Sequence, residues 1–507
     1  MYKQNFVSKA GASTDLGNQK IFYVIALASV LMAMLFGLFA VTANPIIISL
    51  AIALIAGTVL LVWPEWIIWL ILSLGLLVVG LIPLYFDFIA TKAAWGVSLL
   101  GFFLMFIAFI KVAISPSIGK NTPAFIWAAF GFLVYALLNS LIQWHSMGEF
   151  LGGFKRYFQT WGLFFALCWI VFDKQMIRHW QIFVLLVALV QLPFAIYEKI
   201  IFVPLREELQ NSIRDIIPID VVAGTFGSSL TGGGASSEMA TFLIIVLAFL
   251  LARRMEKVLS AGRLALLVPI ILAPLLLGET KGVIIMLPLM FLVLYRHEML
   301  VRLHYWLMGL IFIIIFIVAA SYVYLNTHIN THTSGLTMAE RIENSLAYNL
   351  YDKGYGRNEL NRTTVLTFWA EQQGIHDPIS LVFGNGLGSS HDGAGGHVAR
   401  RYPGYGIGLT AASALLWDMG VFGFGLFAAI LALAWRSAGR LRRESAVPEV
   451  RADAAAIQAA LALFAFYLFY RLGILEILSF QILFAVLLGY LAWLHRRHAL
   501  AIADNHA

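Results

Sequence analysis

The sequence predicts an all-α, polytopic membrane protein of about fourteen transmembrane helices, and three observations predict it. Of its 507 residues, 61% are hydrophobic and only 12% charged, and the mean hydropathy of +0.85 lies outside the range of soluble domains. Apolar runs of about 20 residues recur, the length a helix needs to cross the hydrocarbon core. These runs are solid rather than alternating, which excludes the period-two pattern of an outer-membrane barrel.

In chain order the spans are expected near Ile21–Val41, Pro45–Val62, Trp66–Leu84, Ala93–Ile110, Ala124–Ile142, Thr160–Phe172, Trp180–Phe202, Met239–Ala252, Leu264–Leu277, Gly282–Tyr295, Tyr305–Leu325, Leu409–Trp435, Ala456–Tyr470 and Ile477–Leu494. Basic residues fix their sides. Lys3, Lys9 and Lys20 precede the first span; Arg253, Arg254, Lys257 and Arg263 fill one loop, and Arg296 and Arg302 another. Arg436, Arg440, Arg442 and Arg443 mark a third, and Arg496 and Arg497 follow the last span. With fourteen spans all of these share one side, the cytoplasm, so both termini are expected there. Net charge is +7, but the basic residues sit at the ends of apolar runs, which marks topology and not a nucleic-acid partner. The single cysteine, Cys168, lies in an apolar run and reads as packing. Met1–Lys20 is polar and the run after it is long enough to span, so no cleavable signal is expected.

Four regions follow: an N-terminal bundle (1–203), a core transmembrane region (204–325), one large, partly helical extracytoplasmic loop (326–408), and C-terminal helices with a tail (409–507). The loop holds five of the twelve histidines. Two stretches on its side of the membrane also stand out. Leu264 to Tyr295 supplies roughly 48 Å of helix where two crossings need about 60 Å, so the turn Gly278-Glu-Thr-Lys-Gly282 is expected to sit within the membrane profile, at the floor of a water-filled cavity. Gly224–Ser237 is rich in Gly and Ser and leads into an eighth span with only about fourteen apolar residues, short by the usual length. Its backbone N–H groups, with the helix start behind them, are expected to face an anion.

Within the loop, Thr337 and Glu340 form a capping-box pattern ahead of Met338, Ile342, Leu346 and Leu350, predicting an amphipathic helix. A second short helix is expected over Thr363–Gln373, with Val365, Leu366 and Trp369 on one face. Beyond it come Phe383-Gly-Asn-Gly-Leu-Gly388 and a polar tract with His391, Asp392, His397, Arg400 and Arg401.

Three features over roughly Asp220–Phe424 resemble the O-antigen ligase and polymerase superfamily, membrane glycosyltransferases of the Wzy/WaaL type in the GT-C class. They are Gly224-Thr-Phe-Gly227 followed by small residues and a span, the turn Thr280-Lys281-Gly282 opening a span, and Arg362-x6-Trp369, then Pro378-x4-Phe383-Gly-Asn-Gly-Leu-Gly388, then Leu415-Leu-Trp-Asp-Met-Gly-Val-Phe-Gly423. The resemblance implies a bacterial inner-membrane enzyme that transfers glycan from a polyprenyl-diphosphate-linked oligosaccharide to an acceptor sugar hydroxyl on the periplasmic side, with no cofactor, metal or nucleotide sugar. Its partners would be that donor, a growing glycan or lipid acceptor, the surrounding lipids, and polysaccharide-export or chain-length proteins. Three positions depart from the family's pattern: Lys281 stands where arginine is usual, Gly408-Leu409 where a His-Asn pair often opens the span after the loop, and Asp418 where that span carries glutamate.

Lys281, as an intramembrane cation, is the expected diphosphate contact, with Arg214 a candidate for the second phosphate; Gly224 belongs to the segment around it. His397 and His391 are the candidate general bases, since imidazole titrates near neutral pH. Arg400 and Arg401 are placed to stabilise the departing diphosphate. Arg362 belongs to the same motif set, and Asp418 is expected to orient a cation or cap the cavity. Trp369, Tyr402 and Tyr405 are candidate sugar platforms. His328 and His332 have helical metal-ligand spacing without a third ligand, so no metal site is expected. A polymerase of lipid-linked repeat units is the leading reading. A ligase to a lipid or protein acceptor shares its donor chemistry, and a lipid-linked sugar flippase or transporter is the competitor from another class; no internal repeat of the transporter kind is found.

Overall fold

The computed structural model describes residues 62–82, 87–212, 221–230, 234–278, 280–301, 360–373 and 377–506, with isolated positions at 60, 304, 306–311, 314–315, 318–319 and 340. The chain divides into two compact units, residues 1–69 and 70–507. All packing described below lies within the second.

The described chain is helical. The helices are α1 (Pro64–Ser73, continued by a π-turn to Val78), α2 (Asp87–Ile114), α3 (Ala124–Ile142), α4 (Met147–Phe158), α5 (Trp161–Trp169), α6 (Lys174–Tyr197), α7 (Ser236–Met255), α8 (Ala261–Leu277), α9 (Val283–Val301), α10 (Thr364–Gln373), α11 (Pro378–Phe383), α12 (Ala411–Glu444), α13 (Pro448–Tyr470) and α14 (Leu478–His506). Seven stretches among the described residues are long and apolar enough to cross a membrane: Ala94–Ile114, Ala124–Ile142, Lys174–Arg206, Ser236–Met255, Ala411–Glu444, Pro448–Tyr470 and Leu478–Ala499. The protein is therefore an all-α, multi-pass membrane protein. The expected spans Ile21–Val41 and Pro45–Val62 and the Thr337–Leu350 helix lie almost wholly outside the described residues, and Tyr305–Leu325 lies partly outside them.

Two expectations change. The sixth span, Thr160–Phe172, is instead the nine-residue α5, about 14 Å long and too short to cross. Every one of its residues is buried, because a segment apolar on all sides needs protein around its whole circumference. It packs between α2 and α14, with Phe165 stacked on Trp169 at 5.0 Å. The eighth span is a full 20 residues, Ser236–Met255. The helix takes in Ser236–Glu238 at one end and Arg253–Met255 at the other, since backbone hydrogen bonding does not stop where hydropathy does.

α12 packs on α13 and α3, and α13 on α7 and α9. One end of this bundle is basic, and three of its arginines are paired. Arg253 grips Asp453 through two bonds, Nε to Oδ1 at 2.7 Å and Nη2 to Oδ2 at 2.9 Å, and Tyr490 donates to the same carboxylate at 2.6 Å. Arg451 binds Glu256, and Arg296 donates to Gln458 at 3.0 Å. Midway, Ser98, Gln159 and Gln481 form a buried chain of bonds of 2.6–2.7 Å that ends on the Arg156 carbonyl. Each link satisfies the next, which is what makes buried polar groups tolerable. The opposite end carries the sequence-predicted site residues.

Candidate functional site

α12 begins at Thr410, whose hydroxyl accepts from the Ser413 amide in a closed capping box. Ten residues on, Gly420 leaves the helical region (φ 65°, ψ −172°), a conformation open almost only to glycine. The break strips Trp417, Asp418 and Met419 of helical partners for their carbonyls, and buried carbonyls must find donors elsewhere. The Gly-Asn-Gly-Leu-Gly segment supplies them. The Asn385 amide and Nδ2 both donate to Trp417 O (3.0 and 2.9 Å), and the Gly386 amide donates to Asp418 O at 2.9 Å. Tyr135 on α3 donates to Met419 O at 2.8 Å. Gly384 (φ 80°) faces the break so closely that a Cβ on it would lie 2.5 Å from the Gly420 nitrogen.

The Asp418 side chain is fully buried and completes the dock. Oδ1 accepts from the Ser390 amide (2.7 Å) and the Ser389 hydroxyl (2.8 Å), while Oδ2 accepts from Tyr157 (2.9 Å) and the Gly388 amide (3.4 Å). These donors are hydroxyls and amides, so Asp418 anchors the histidine-bearing loop; the expectation that it orients a cation is corrected. Trp369 is corrected too. It is only 8% exposed and forms a cluster with Val398, Ala399, Ile407 and Trp417, against which Tyr402 and Tyr405 pack. Its faces are taken by protein, leaving none for a sugar.

The loop so docked presents both histidines. His397 is held twice by the buried Glu149 of α4: its amide donates to Oε2 at 3.0 Å and its Nδ1 meets Oε1 at 2.8 Å. A carboxylate on Nδ1 fixes the ring and leaves Nε2 as the working nitrogen. His145 stacks on it at 4.6 Å, and both rings line an open cavity of about 500 Å³ with Trp144, Arg400 and Arg401. His391 lies 4.0 Å from Glu476. Its burial, and then the Arg156 guanidinium, hold its pKa below the ordinary 6.5, which favours the neutral ring. Arg156 itself is 5% exposed. Its Nε and Nη1 find no hydrogen-bond partner, nor does the buried Ser390 hydroxyl oxygen. A buried cation with unmet donors is costly unless an anion completes it.

A second cluster forms around the start of α7. Arg471 donates to Ser237 Oγ and Gly234 O at 3.0 Å each and lies 3.5 Å from the buried Glu238 carboxylate. Thr280 donates to Ser236 at 3.0 Å, which places the Thr-Lys-Gly turn against the end of the Gly/Ser segment. Arg362 donates to the Tyr470 carbonyl at 2.6 Å and lies over that ring at 4.6 Å. Lys281 is exposed and lies close enough to Arg362 for the two charges to interact. The turn, Arg362 and the end of the Gly/Ser segment are thus brought together.

The start of that segment behaves differently from expectation. The amides of Ala223 and Gly224 donate to Glu198 at 2.9 and 2.7 Å, and the Thr225 amide to Gln191 at 2.9 Å. Gly224 is buried, and its nest holds the chain's own carboxylate in place of a ligand's. Arg214 lies outside the described residues, as do His328 and His332. Among the described residues no group of three His, Cys, Asp or Glu side chains is arranged to hold a metal.

Glu149, Arg156, Glu238 and Arg471 were not singled out from the sequence. One signal was present: Ser146-x-x-Glu149 is a capping-box pattern. Ser146 does accept from the Glu149 amide at 3.2 Å, but the Glu149 carboxylate turns to His397 instead of closing the box. No protein-family model matches this chain, and no curated protein matches it.

Proposed function

We propose that this protein is a membrane glycosyltransferase that moves glycan from a polyprenyl-diphosphate-linked donor to an acceptor sugar hydroxyl, and that it works as a polysaccharide polymerase. Its basic end faces the cytoplasm by the positive-inside rule, so the reaction takes place on the outer side of a bacterial inner membrane.

The observation that carries this reading is the meeting, at the end of the bundle away from the paired arginines, of a cationic cluster and a histidine loop. Lys281, Arg362 and Arg471 gather at the start of α7, and the loop with His391 and His397 docks through Asp418 nearby in the fold. In the reaction the bond from the anomeric carbon to the diphosphate oxygen breaks as the acceptor oxygen bonds to that carbon. The acceptor proton passes to an imidazole, His397 Nε2 or His391. The electron pair left on the diphosphate is met by Lys281 and Arg362 as its charge grows, with Arg400 and Arg401 at the cavity rim.

Purified protein supplied with a lipid-linked repeat unit tests this, with products resolved by size. A ladder of products is expected. One glycan on a separate acceptor would identify a ligase, and movement across the membrane without bond formation would replace the enzyme by a transporter.

A further inference from the structure

A second cavity, of about 720 Å³, opens at the basic end of the bundle between α6, α7 and α14. Along α14 it is lined from Ile482 to His498, a rise of about 24 Å, so it is a slot running parallel to the helices. Its walls are apolar, among them Leu76, Val184, Ile245, Phe249, Val486 and Leu487. Its charged lining is mostly basic and lies toward the basic end, with Lys174, Arg178, Arg253, Arg263 and Arg497. Two carboxylates lie there, Glu449 and Asp453, and Asp453 is already held by Arg253 and Tyr490. Lys174, Arg178 and Arg263 have no carboxylate partner among the described residues. Trp180 lines the same end. It is 5% exposed, and its indole N–H is buried without an acceptor.

We infer that this slot holds an anionic phospholipid. An apolar trough about 24 Å long, close to the 30 Å thickness of the hydrocarbon core, takes an acyl chain lying along the membrane normal. Unpaired cations at its mouth select a headgroup of net negative charge, as basic pockets between helices do in the cytoplasmic leaflet. The orphaned Trp180 N–H supplies a donor for a phosphate or ester oxygen, at the depth where tryptophan gathers in bilayers. A zwitterionic headgroup brings its own ammonium into the same ring of cations and gains less. The site stands apart from the histidine loop, at the opposite end of the helices, and does not depend on the transferase reading.

Native mass spectrometry of the full-length protein in detergent tests it, titrating phosphatidylglycerol and phosphatidylcholine with identical acyl chains. Phosphatidylglycerol is expected to be retained the more tightly. Replacing both Arg178→Gln and Arg263→Gln, two surface positions remote from the core, should weaken its retention about 30-fold and leave phosphatidylcholine unchanged. Equal retention of the two lipids, no retained lipid at all, or indifference of phosphatidylglycerol to the double substitution would each overturn the assignment.

Discussion

Asp418→Ala removes the carboxylate on which the histidine loop is docked, and the size of the effect can be worked from its four bonds. Three of them, from the Ser390 amide, the Ser389 hydroxyl and Tyr157, are 2.7–2.9 Å long, and a hydrogen bond to a charged group contributes about 1.5–3 kcal/mol. Donors that share one acceptor are not additive. Part of the loss is recovered if water reaches the vacated space, so a net cost of about 4 kcal/mol is reasonable. At 1.4 kcal/mol per decade, that raises the open fraction of the loop about a thousandfold. Hydrogen–deuterium exchange should show it in peptides spanning 384–401, while α13, which makes none of these bonds, keeps its protection. Asp418→Asn fills the same space but turns an N–H₂ toward donors, so it should open the loop nearly as far. If both variants exchange at the wild-type rate across 384–401, the anchoring role is wrong.

The other expectations divide between chemistry and scaffold. Lys281→Ala should abolish transfer while leaving the protein inserted and folded; full turnover in that variant removes Lys281 from the diphosphate site. His397→Ala should cost about 10²–10⁴-fold in transfer rate if its Nε2 takes the acceptor proton, and Glu149→Gln less, because an amide oxygen still accepts from Nδ1; a rate within twofold of wild type for His397→Ala would assign the base elsewhere. For His391, whose folded pKa lies below 6.5, the unfolded chain takes up the proton more readily, so stability should fall as pH drops below 6.5. His391→Gln should flatten that slope in thermal unfolding, and a slope that persists unchanged would assign it to another group. Gly420→Ala places a Cβ 2.5 Å from the Gly384 nitrogen in a backbone region closed to L-residues and should cost about 3 kcal/mol or more, lowering the unfolding midpoint; an unchanged midpoint would mean that the break in α12 is not required.

Much of the bundle was legible because lipid is an undemanding solvent to read. The span Ala124–Ile142 coincides with α3 residue for residue, since Pro123 and Gln143 bracket an unbroken apolar run. The failure at Thr160–Phe172 has a physical cause: a helix wholly inside protein and one facing lipid need the same side chains, and only length separates them. Charged helix ends misled in the other direction. α12 continues through Arg436 and Arg440 to Glu444, although the apolar run stops at Trp435. Among the candidate site residues, Thr280 and Lys281 drew notice because a polar turn stands out against apolar sequence, and Arg362 because of the motif resemblance; the structure brings the three near one another. Glu149, Arg156 and Arg471 were missed because what gives each its meaning lies more than 200 residues away in the chain. Asp418 was found for its place inside a span, but its task depends on a loop whose docking no local pattern encodes.

The seven-residue connection from Arg471 to Ile477 bears on which class of protein this is. At its start the Tyr470 carbonyl accepts from Arg362 and the Arg471 side chain engages Ser237 and Glu238. The Arg471 carbonyl also accepts from the Ala411 amide at the head of α12. At its far end Glu476 faces His391. One short segment therefore ties the cationic cluster, the first turn of α12 and the histidine loop to each other. Group transfer gains most when leaving-group stabilisers and base are held at a fixed separation, since a loose geometry forfeits the advantage of proximity. A carrier has the opposite need, because its two halves must rock about the site to expose it alternately. A short tie across the proposed site fits the proposed transferase more readily than a carrier. Lengthening the connection by two glycines after Leu472 should separate the readings, because it loosens the spacing without removing a charged group. A transferase should lose turnover while still binding its lipid-linked donor, whereas a carrier limited by motion should keep or gain flux.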